Sequence, residues 1–276
     1  MKRIEVKRIP NFNPKKYKRK KVATADGPLK IDEPCDVYCG NEHIISIRML
    51  PKECRDVAKE LTRVKFDWNQ RTGGERTLSR IFGYVPRRPV FMKNFCSSTN
   101  MHEDAPDAYR KLELLADTVN QMYREALGNT WQTHNVTTKQ VLNDWRIKGT
   151  VFTSGIVNKN NALVYHYDRG NFKDVYSCQV SFTKGLSGGN LLYPEFGFHL
   201  VLPDNSVTFF DGQKYMHGVS PIRLKNKYSY RYTIVYYSLK NMWTCLPIGE
   251  ELKNAQITEA GRAKIKTERI NAKIRR

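Results

Sequence analysis

Two histidines and an aspartate stand at spacings that suit one metal ion. In His166-Tyr167-Asp168-Arg169-Gly170-Asn171, a His and an Asp two residues apart point to the same face of a β-strand. Both side chains can therefore reach one ion. A further His follows downstream, in Asp211-Gly212-Gln213-Lys214-Tyr215-Met216-His217-Gly218. Two imidazoles and a carboxylate make the facial set that holds non-haem Fe(II) and leaves coordination positions open. His166, Asp168 and His217 are thus the candidate iron ligands. Four further features follow in order: the Gly188-Gly189 turn, the apolar strand Val207 to Phe210, His217 in the loop after it, and Arg231 two residues before Thr233. Asp174 and Asp211 are other carboxylates nearby, and Asp211 reads as a turn or supporting residue. His43, His102 and His134 carry no partner signal. His199 lies on a predicted strand, where packing is the favoured reading over a cosubstrate contact.

The elements that must position these residues change character near Gly149. Before it, Pro51 to Val64 reads as a helix with Val57, Leu61 and Val64 on one face. A longer helix starts with Asp104 as its cap and Pro106 in its first turn. It runs to about Leu127 and stops at Gly128. Its stripe of Leu112, Leu115, Val119, Met122 and Tyr123 is core packing. A shorter helix is expected over Thr138 to Trp145. Gly73-Gly74 breaks regular structure. The stretch Arg80 to Pro89 mixes cations with aromatics, as a base-stacking surface does, or as a loop packed on the core does. After Gly149 the pattern is of strands: Val151 to Val157, Leu163 to Asp168, Tyr176 to Thr183, Leu191 to Pro194, Gly197 to Leu202, Val207 to Phe210 and Tyr228 to Leu239. Short turns separate them. This predicts an α+β protein with a jelly-roll core and the N-terminal helices packed on one sheet.

The chain has 276 residues and a net charge of +20, with a pI near 9.7. Such a balance favours a polyanionic partner, most simply nucleic acid. Much of the charge sits at the ends. Residues 1–21 read as a mobile basic arm and 249–276 as a basic helix or tail. One domain, 22–248, lies between them, with its β core at about 151–240. The six cysteines are scattered, and the start has no apolar leader region. They read as reduced thiols of a nuclear or cytoplasmic protein. No apolar run is long enough to span a bilayer.

These residues carry a family resemblance. The region from about Val151 to Leu239 resembles the double-stranded β-helix of the Fe(II)- and 2-oxoglutarate-dependent dioxygenases. The resemblance implies iron on His166, Asp168 and His217. It also implies that Arg231, assisted by Thr233, holds the distal carboxylate of 2-oxoglutarate. A planar guanidinium suits that task as a Lys does not. Arg223 competes for the role but follows His217 too soon, in a Pro-containing loop. Asn158 and Tyr165 are candidate linings of the cosubstrate pocket. A narrower resemblance is to the TET/J-binding-protein branch, which oxidises the 5-methyl group of thymine or 5-methylcytosine in DNA. Asn171, three residues after Asp168, matches an Asn that contacts the target base there. Phe209-Phe210-Asp211 and Tyr232 to Tyr237 are similar to that branch as well. The cysteine-rich zinc region of animal TET proteins is not evident.

The resemblance implies Fe(II), 2-oxoglutarate and O2 as cofactors, succinate and CO2 as co-products, and a monomer bound to DNA through its basic arm and tail. A base in duplex DNA would have to leave the stack. Asn171 is then the candidate contact to the base edge and Arg169 to a phosphate. Two other classes stay open. One is a prolyl or lysyl hydroxylase with the same iron set. The other is a non-catalytic nucleic-acid-binding protein on an oxygenase fold. Net charge and Asn171 favour the DNA reading over the first; the complete triad with Arg231 argues against the second.

Overall fold

Alternate residues of the Tyr230–Tyr237 strand face two environments, and the fold is built from that split. In this computed structural model, residues 1–23, 29–70, 76–88 and 93–274 are described. The expectations at Gly73-Gly74 and Pro89, and at the final Arg275 and Arg276, lie outside them. The chain begins β1 (Lys2–Glu5), β2 (Leu29–Ile31), β3 (Cys35–Cys39), β4 (Glu42–Met49), α1 (Asp56–Arg63), β5 (Asp67–Gln70) and β6 (Arg76–Val85). Then come β7 (Ser97–Ser98), α2 (Met101–Asp104), α3 (Pro106–Ala126) and α4 (Gly128–Thr138). The second half holds β8 (Ser154–Lys159), β9 (Leu163–His166), β10 (Ser177–Lys184), β11 (Leu186–Gly188), β12 (Leu191–Tyr193) and β13 (Phe198–Leu200). It closes with β14 (Ser206–Phe210), β15 (His217–Val219), β16 (Ile222–Leu224), β17 (Tyr230–Tyr237) and α5 (Ile248–Ile274).

A ten-stranded sheet runs β1-β3-β4-β14-β10-β17-β8-β6-β5, with β7 beside β6. A five-stranded sheet runs β2-β13-β12-β15-β9, and β11 pairs with β16. From β8 onward the chain steps between the two larger sheets. β8, β10, β14 and β17 lie in the first; β9, β12, β13 and β15 lie in the second. This is the expected double-stranded β-helix.

Helices cover the outer face of the large sheet. Cys178, Val180 and Phe182 of β10 and Tyr232, Ile234 and Tyr236 of β17 pack in one cluster with Leu61 of α1 and with Leu112, Leu115, Val119 and Tyr123 of α3. Burying side chains of this size contributes roughly 1.5–3 kcal/mol each. Tyr236 also donates its hydroxyl to the Leu112 carbonyl (2.8 Å). The opposite face of the same strands presents Gln179, Arg231, Thr233 and Val235 to a cavity between the sheets.

Several local expectations change. Asp104 does not cap α3; it pairs instead with Arg80 at 2.6 Å. α3 ends at Ala126, and Gly128 opens α4 rather than stopping a helix. α4 replaces the helix expected over Thr138 to Trp145, where only a short 3-10 turn lies at Asn143–Trp145. Its Asn- and Thr-rich sequence has poor helix propensity. Tertiary bonds hold it: Trp131 Nε1 donates to Asn120 Oδ1 (3.0 Å), and His134 Nε2 bonds Ser238 Oγ (2.8 Å). Within Arg80 to Pro89, residues 80–85 belong to β6 and Phe82 is wholly buried, so the packing reading holds there. Within the expected N-terminal arm, β1 adds in parallel to β3. Cys96 and Cys245 form a disulfide, against the expectation of thiols throughout. The fold brings them together across 149 residues, which their scattering in sequence concealed. Among the described residues, no helix is long and apolar enough to cross a membrane.

Two histidines inside this frame are held neutral. Burial pushes His134 down to about 3. Burial, partly offset by Asp36, pushes His43 down to about 4. In the unfolded chain both titrate near ~6.5. As pH falls below ~6.5, the unfolded state takes up protons that the folded state refuses, so stability drops until the folded groups titrate. With both groups in play the slope reaches about 2.7 kcal/mol per pH unit. Denaturant titrations between pH 7 and pH 5 should show this loss, and His43→Gln should remove about half of the slope. Identical slopes in the two proteins would contradict the assignment to His43.

Candidate active site

β9 ends on His166, β15 begins on His217, and these two residues are cross-strand partners. Their ring centroids lie 4.4 Å apart. Asp168 follows β9 directly, and its N–H donates to the Gly212 carbonyl (2.8 Å). The loop that carries Gly212 is itself tied down. Asp211 accepts from the N–H groups of Gln213 (3.0 Å) and Lys214 (2.9 Å), as a turn residue does. Burial pushes its carboxyl above the ordinary carboxylate range.

Ring orientation follows from the backbone. His166 Nδ1 lies 2.8 Å from the Val164 carbonyl, and His217 Nδ1 lies 3.0 Å from that of Tyr215. A carbonyl oxygen only accepts, so in each ring Nδ1 is the protonated nitrogen. Nε2 is left with its lone pair toward the shared centre, which is how metal-binding imidazoles are fixed. The Nε2 atoms of His166 and His217 stand 3.6 Å and 3.8 Å from the Asp168 carboxylate oxygens. These gaps exceed hydrogen-bond length. One ligand atom from each residue falls within 4.8 Å of the other two. The chemistry of the donor set fits Fe(II). A second cluster of ligand-type atoms among the described residues, Cys96, Cys245 and Glu251, is already committed. Its cysteines are bonded to each other. Glu251 accepts from the N–H groups of Cys96 (3.1 Å) and Leu246 (2.8 Å) and pairs with Arg87.

The triad opens on a cavity of about 610 Å³, within the usual range for ligand sites. Arg231 and Thr233 line it, as do Asn158, Tyr165, Arg169 and Asn171. Arg231 is 3% exposed. One Nη has no hydrogen-bond partner, and among the described residues no carboxylate pairs with it. Desolvation pushes its guanidinium down to about 10. Gly189 packs against its stem, where a Cβ would fall 2.9 Å from Arg231 Cδ. A buried cation with a vacant donor is a costly arrangement without an anion, so the residues fit a carboxylate ligand. Arg223 pairs with Ser187 between β11 and β16 and does not line the cavity. His199 also lies off it, buried in β13.

The family profile described as "Oxygenase domain of the 2OGFeDO superfamily" (Tet_JBP) matches residues 86–240. The chain belongs to this family. Among curated proteins, this oxygenase domain is 29% identical to the thymine dioxygenase JBP1 of Leishmania infantum over 154 residues, covering 55% of this chain and 18% of that protein. It is 29% identical to JBP1 of Leishmania tarentolae over 181 residues, covering 63% and 21%. With Leishmania braziliensis JBP1 the identity is 30% over 146 residues, covering 52% and 17%. The chain thus spans about a fifth of the length of these relatives. Among solved structures, it superposes on NgTET1 in complex with 5mC DNA with a TM-score of 0.61 at 16% identity, covering 85% of this chain and 89% of that one. That likeness concerns the fold.

The metal, cosubstrate and substrate candidates read from the sequence all line one cavity of the oxygenase domain. Two bonds hold Asn171: its side-chain Nδ2 donates to Ser177 Oγ (3.0 Å), and its backbone carbonyl accepts from Gln213 Nε2 (2.7 Å). Sequence reading missed Gln179, which lines the same cavity with a buried Nε2 that has no hydrogen-bond partner. An amide in the run Val175 to Phe182, whose other polar residues are the small Ser177 and Ser181, was its signal. Lys18 and Arg19 also line the cavity, from a segment remote in sequence.

Two outcomes follow. A Cβ at Gly212 would lie 2.3 Å from Asp168 Oδ2, so Gly212→Ala should displace the carboxylate and weaken Fe(II) or Mn(II) binding by about 10–100-fold. An equilibrium metal titration checks this, and unchanged affinity would show that Gly212 does not set the position of Asp168. Arg231→Met should stabilise the ligand-free protein by about 1–4 kcal/mol. It should also abolish the rise in Tm that 2-oxoglutarate produces. A fall in ligand-free Tm would mean that the guanidinium is satisfied as it stands.

Proposed function

We propose that this oxygenase domain hydroxylates the 5-methyl group of a pyrimidine, 5-methylcytosine or thymine, in DNA. The observation that carries the reading is one cavity lined by both a facial metal triad and a buried guanidinium with a vacant donor. The relatives named thymine dioxygenase and the net charge of +20 support the choice of substrate. His166, Asp168 and His217 would hold Fe(II), and Arg231 with Thr233 would hold the distal carboxylate of 2-oxoglutarate. When bound, the metal and cosubstrate supply, with O2, an oxidant that hydroxylates a C–H bond and leaves succinate and CO2.

The chain's own residues bind and orient. Arg231 and Thr233 sit two residues apart on the cavity-facing side of β17. Their shared face fixes one end of the cosubstrate relative to the triad. A base must leave the duplex stack to enter the cavity. Asn171 donates from Nδ2 to Ser177, which turns the amide in its plane, and Oδ1 is the atom that can accept from a base. Thymine N3–H and the 5-methylcytosine amine are both donors that suit it. Arg169, at the cavity rim, contacts a phosphate in this reading.

Incubating the protein with Fe(II), 2-oxoglutarate and DNA containing 5-methylcytosine, followed by nucleoside mass spectrometry, should reveal a 5-hydroxymethyl pyrimidine. Asn171→Ala should lower base oxidation by at least about 100-fold, the scale of a lost positioning contact, while 2-oxoglutarate binding persists. Succinate formed on a prolyl or lysyl peptide, with every DNA base intact, would overturn the assignment.

A further inference from the structure

Residues 15–21 read Lys-Lys-Tyr-Lys-Arg-Lys-Lys, and as sequence they are a charged tail. In the structure they are staked in place at both ends. On one side Phe12 stacks on Tyr17 (5.3 Å between centroids), and Tyr17 meets the edge of Tyr165 (5.5 Å). On the other side Val22 is buried in a cluster with Tyr165, Leu192 and Met216. Gly218 packs so closely on Val22 that a Cβ would lie 2.6 Å from its Cγ2. Between the stakes the backbone pairs with the residue next to His166. Arg19 N–H donates to the Tyr165 carbonyl (2.9 Å), and Tyr165 N–H donates to that of Lys20 (3.0 Å). Arg19 adopts φ +63°, a conformation that a non-Gly residue holds only when its surroundings impose it.

The cations on this fixed segment are unspent. All six are exposed, and among the described residues none is in an ion pair. Elsewhere on the surface, lysines such as Lys2, Lys30 and Lys214 do pair with carboxylates. Lys18 and Arg19 line the cavity, and the four lysines flank them. Cations in a row beside the opening suit a run of phosphates. A base drawn into the cavity keeps its own backbone outside, and that backbone must be held while the stack is broken.

Resting on the DNA reading, we propose that residues 15–21 form a rigid phosphate cradle at the mouth of the cavity, which grips the backbone on either side of the extruded nucleotide. The segment acts through its position as well as its charge.

The test is the salt dependence of duplex DNA binding, followed by fluorescence anisotropy on the full chain. Each phosphate contact contributes about 0.9 to the slope of log Kd against log salt. The variant K15Q/K16Q/K20Q/K21Q should lower that slope by at least about 2 and weaken binding at moderate salt by tenfold or more. A control variant, K52Q/K65Q/K139Q/K148Q, removes four exposed lysines that do not line the cavity, and it should change the slope by less than half as much. Tyr17→Ser, which releases a stake and leaves the charge intact, should weaken binding several-fold. Equal slopes in the two lysine variants, or full affinity in Tyr17→Ser, would reduce the segment to a charged tail and overturn the cradle. If the wild type binds and oxidises DNA in those cases, only the cradle falls. If the wild type neither binds nor oxidises DNA, the DNA reading falls and takes the cradle with it.

Discussion

A guanidinium sealed inside a protein without an anion is a standing cost, and much of the oxygenase domain is arranged around the one at Arg231. Its strand lies in the middle of the large sheet, between β10 and β8, where it cannot swing out to solvent. Gly189 gives up a side chain to let its stem pass. The helical layer on the outer face locks the strand by burying Tyr232, Ile234 and Tyr236. The guanidinium is thus held in place by a strand buried on its other face against the helices. That is what an anion site requires if the ligand, and not a rearrangement of the protein, is to satisfy the charge.

The triad is built by the opposite means. It lies on the thin second sheet, where β9, β12, β13 and β15 have three or four residues each. Backbone carbonyls turn the two imidazoles, and a backbone N–H bond and a neighbouring glycine set the carboxylate. Side-chain packing supports it at His217, whose ring meets those of Phe210 and Tyr193. The cavity therefore has a stiff floor set by hydrophobic burial and a rim set by hydrogen bonds. The second kind of control depends on register, because a slip of one residue between β9 and β15 would send one imidazole to the far face.

The readable part of this design was the part written in local periodicity. Alternation exposed the strands after Gly149, and a His-x-Asp followed by a distal His and a strand Arg marked the cavity residues. The α3 stripe was visible for the same reason. What sequence concealed was held by contacts across the fold. α4 has no helical pattern of its own and exists through Trp131 and His134. Asp104 has the chemistry of a cap, but an ion pair with Arg80 takes it. Cys96 and Cys245 meet only once the core is closed. Lysines 15 to 21 looked unstructured because a cationic run carries no sign of where its backbone will be pinned.

One topological detail bears on where the functional unit begins. The family match starts at residue 86, yet β4 pairs with β14, β3 and β1 extend that row, and β2 adds to β13. β6 and β5 likewise add to β8, so strands made before the matched stretch flank the large sheet on both sides and the smaller sheet on one. A chain shortened to residues 86–240 would leave β14, β8 and β13 as open edges with unpaired N–H and C=O groups, and such edges recruit strands from other molecules. It would also strip Val22 from Gly218 and Lys20 from Tyr165, beside both imidazoles. The strands before the matched stretch thus serve as the selvedge of the weave, and the chemistry would unravel from the part on which the family resemblance is silent.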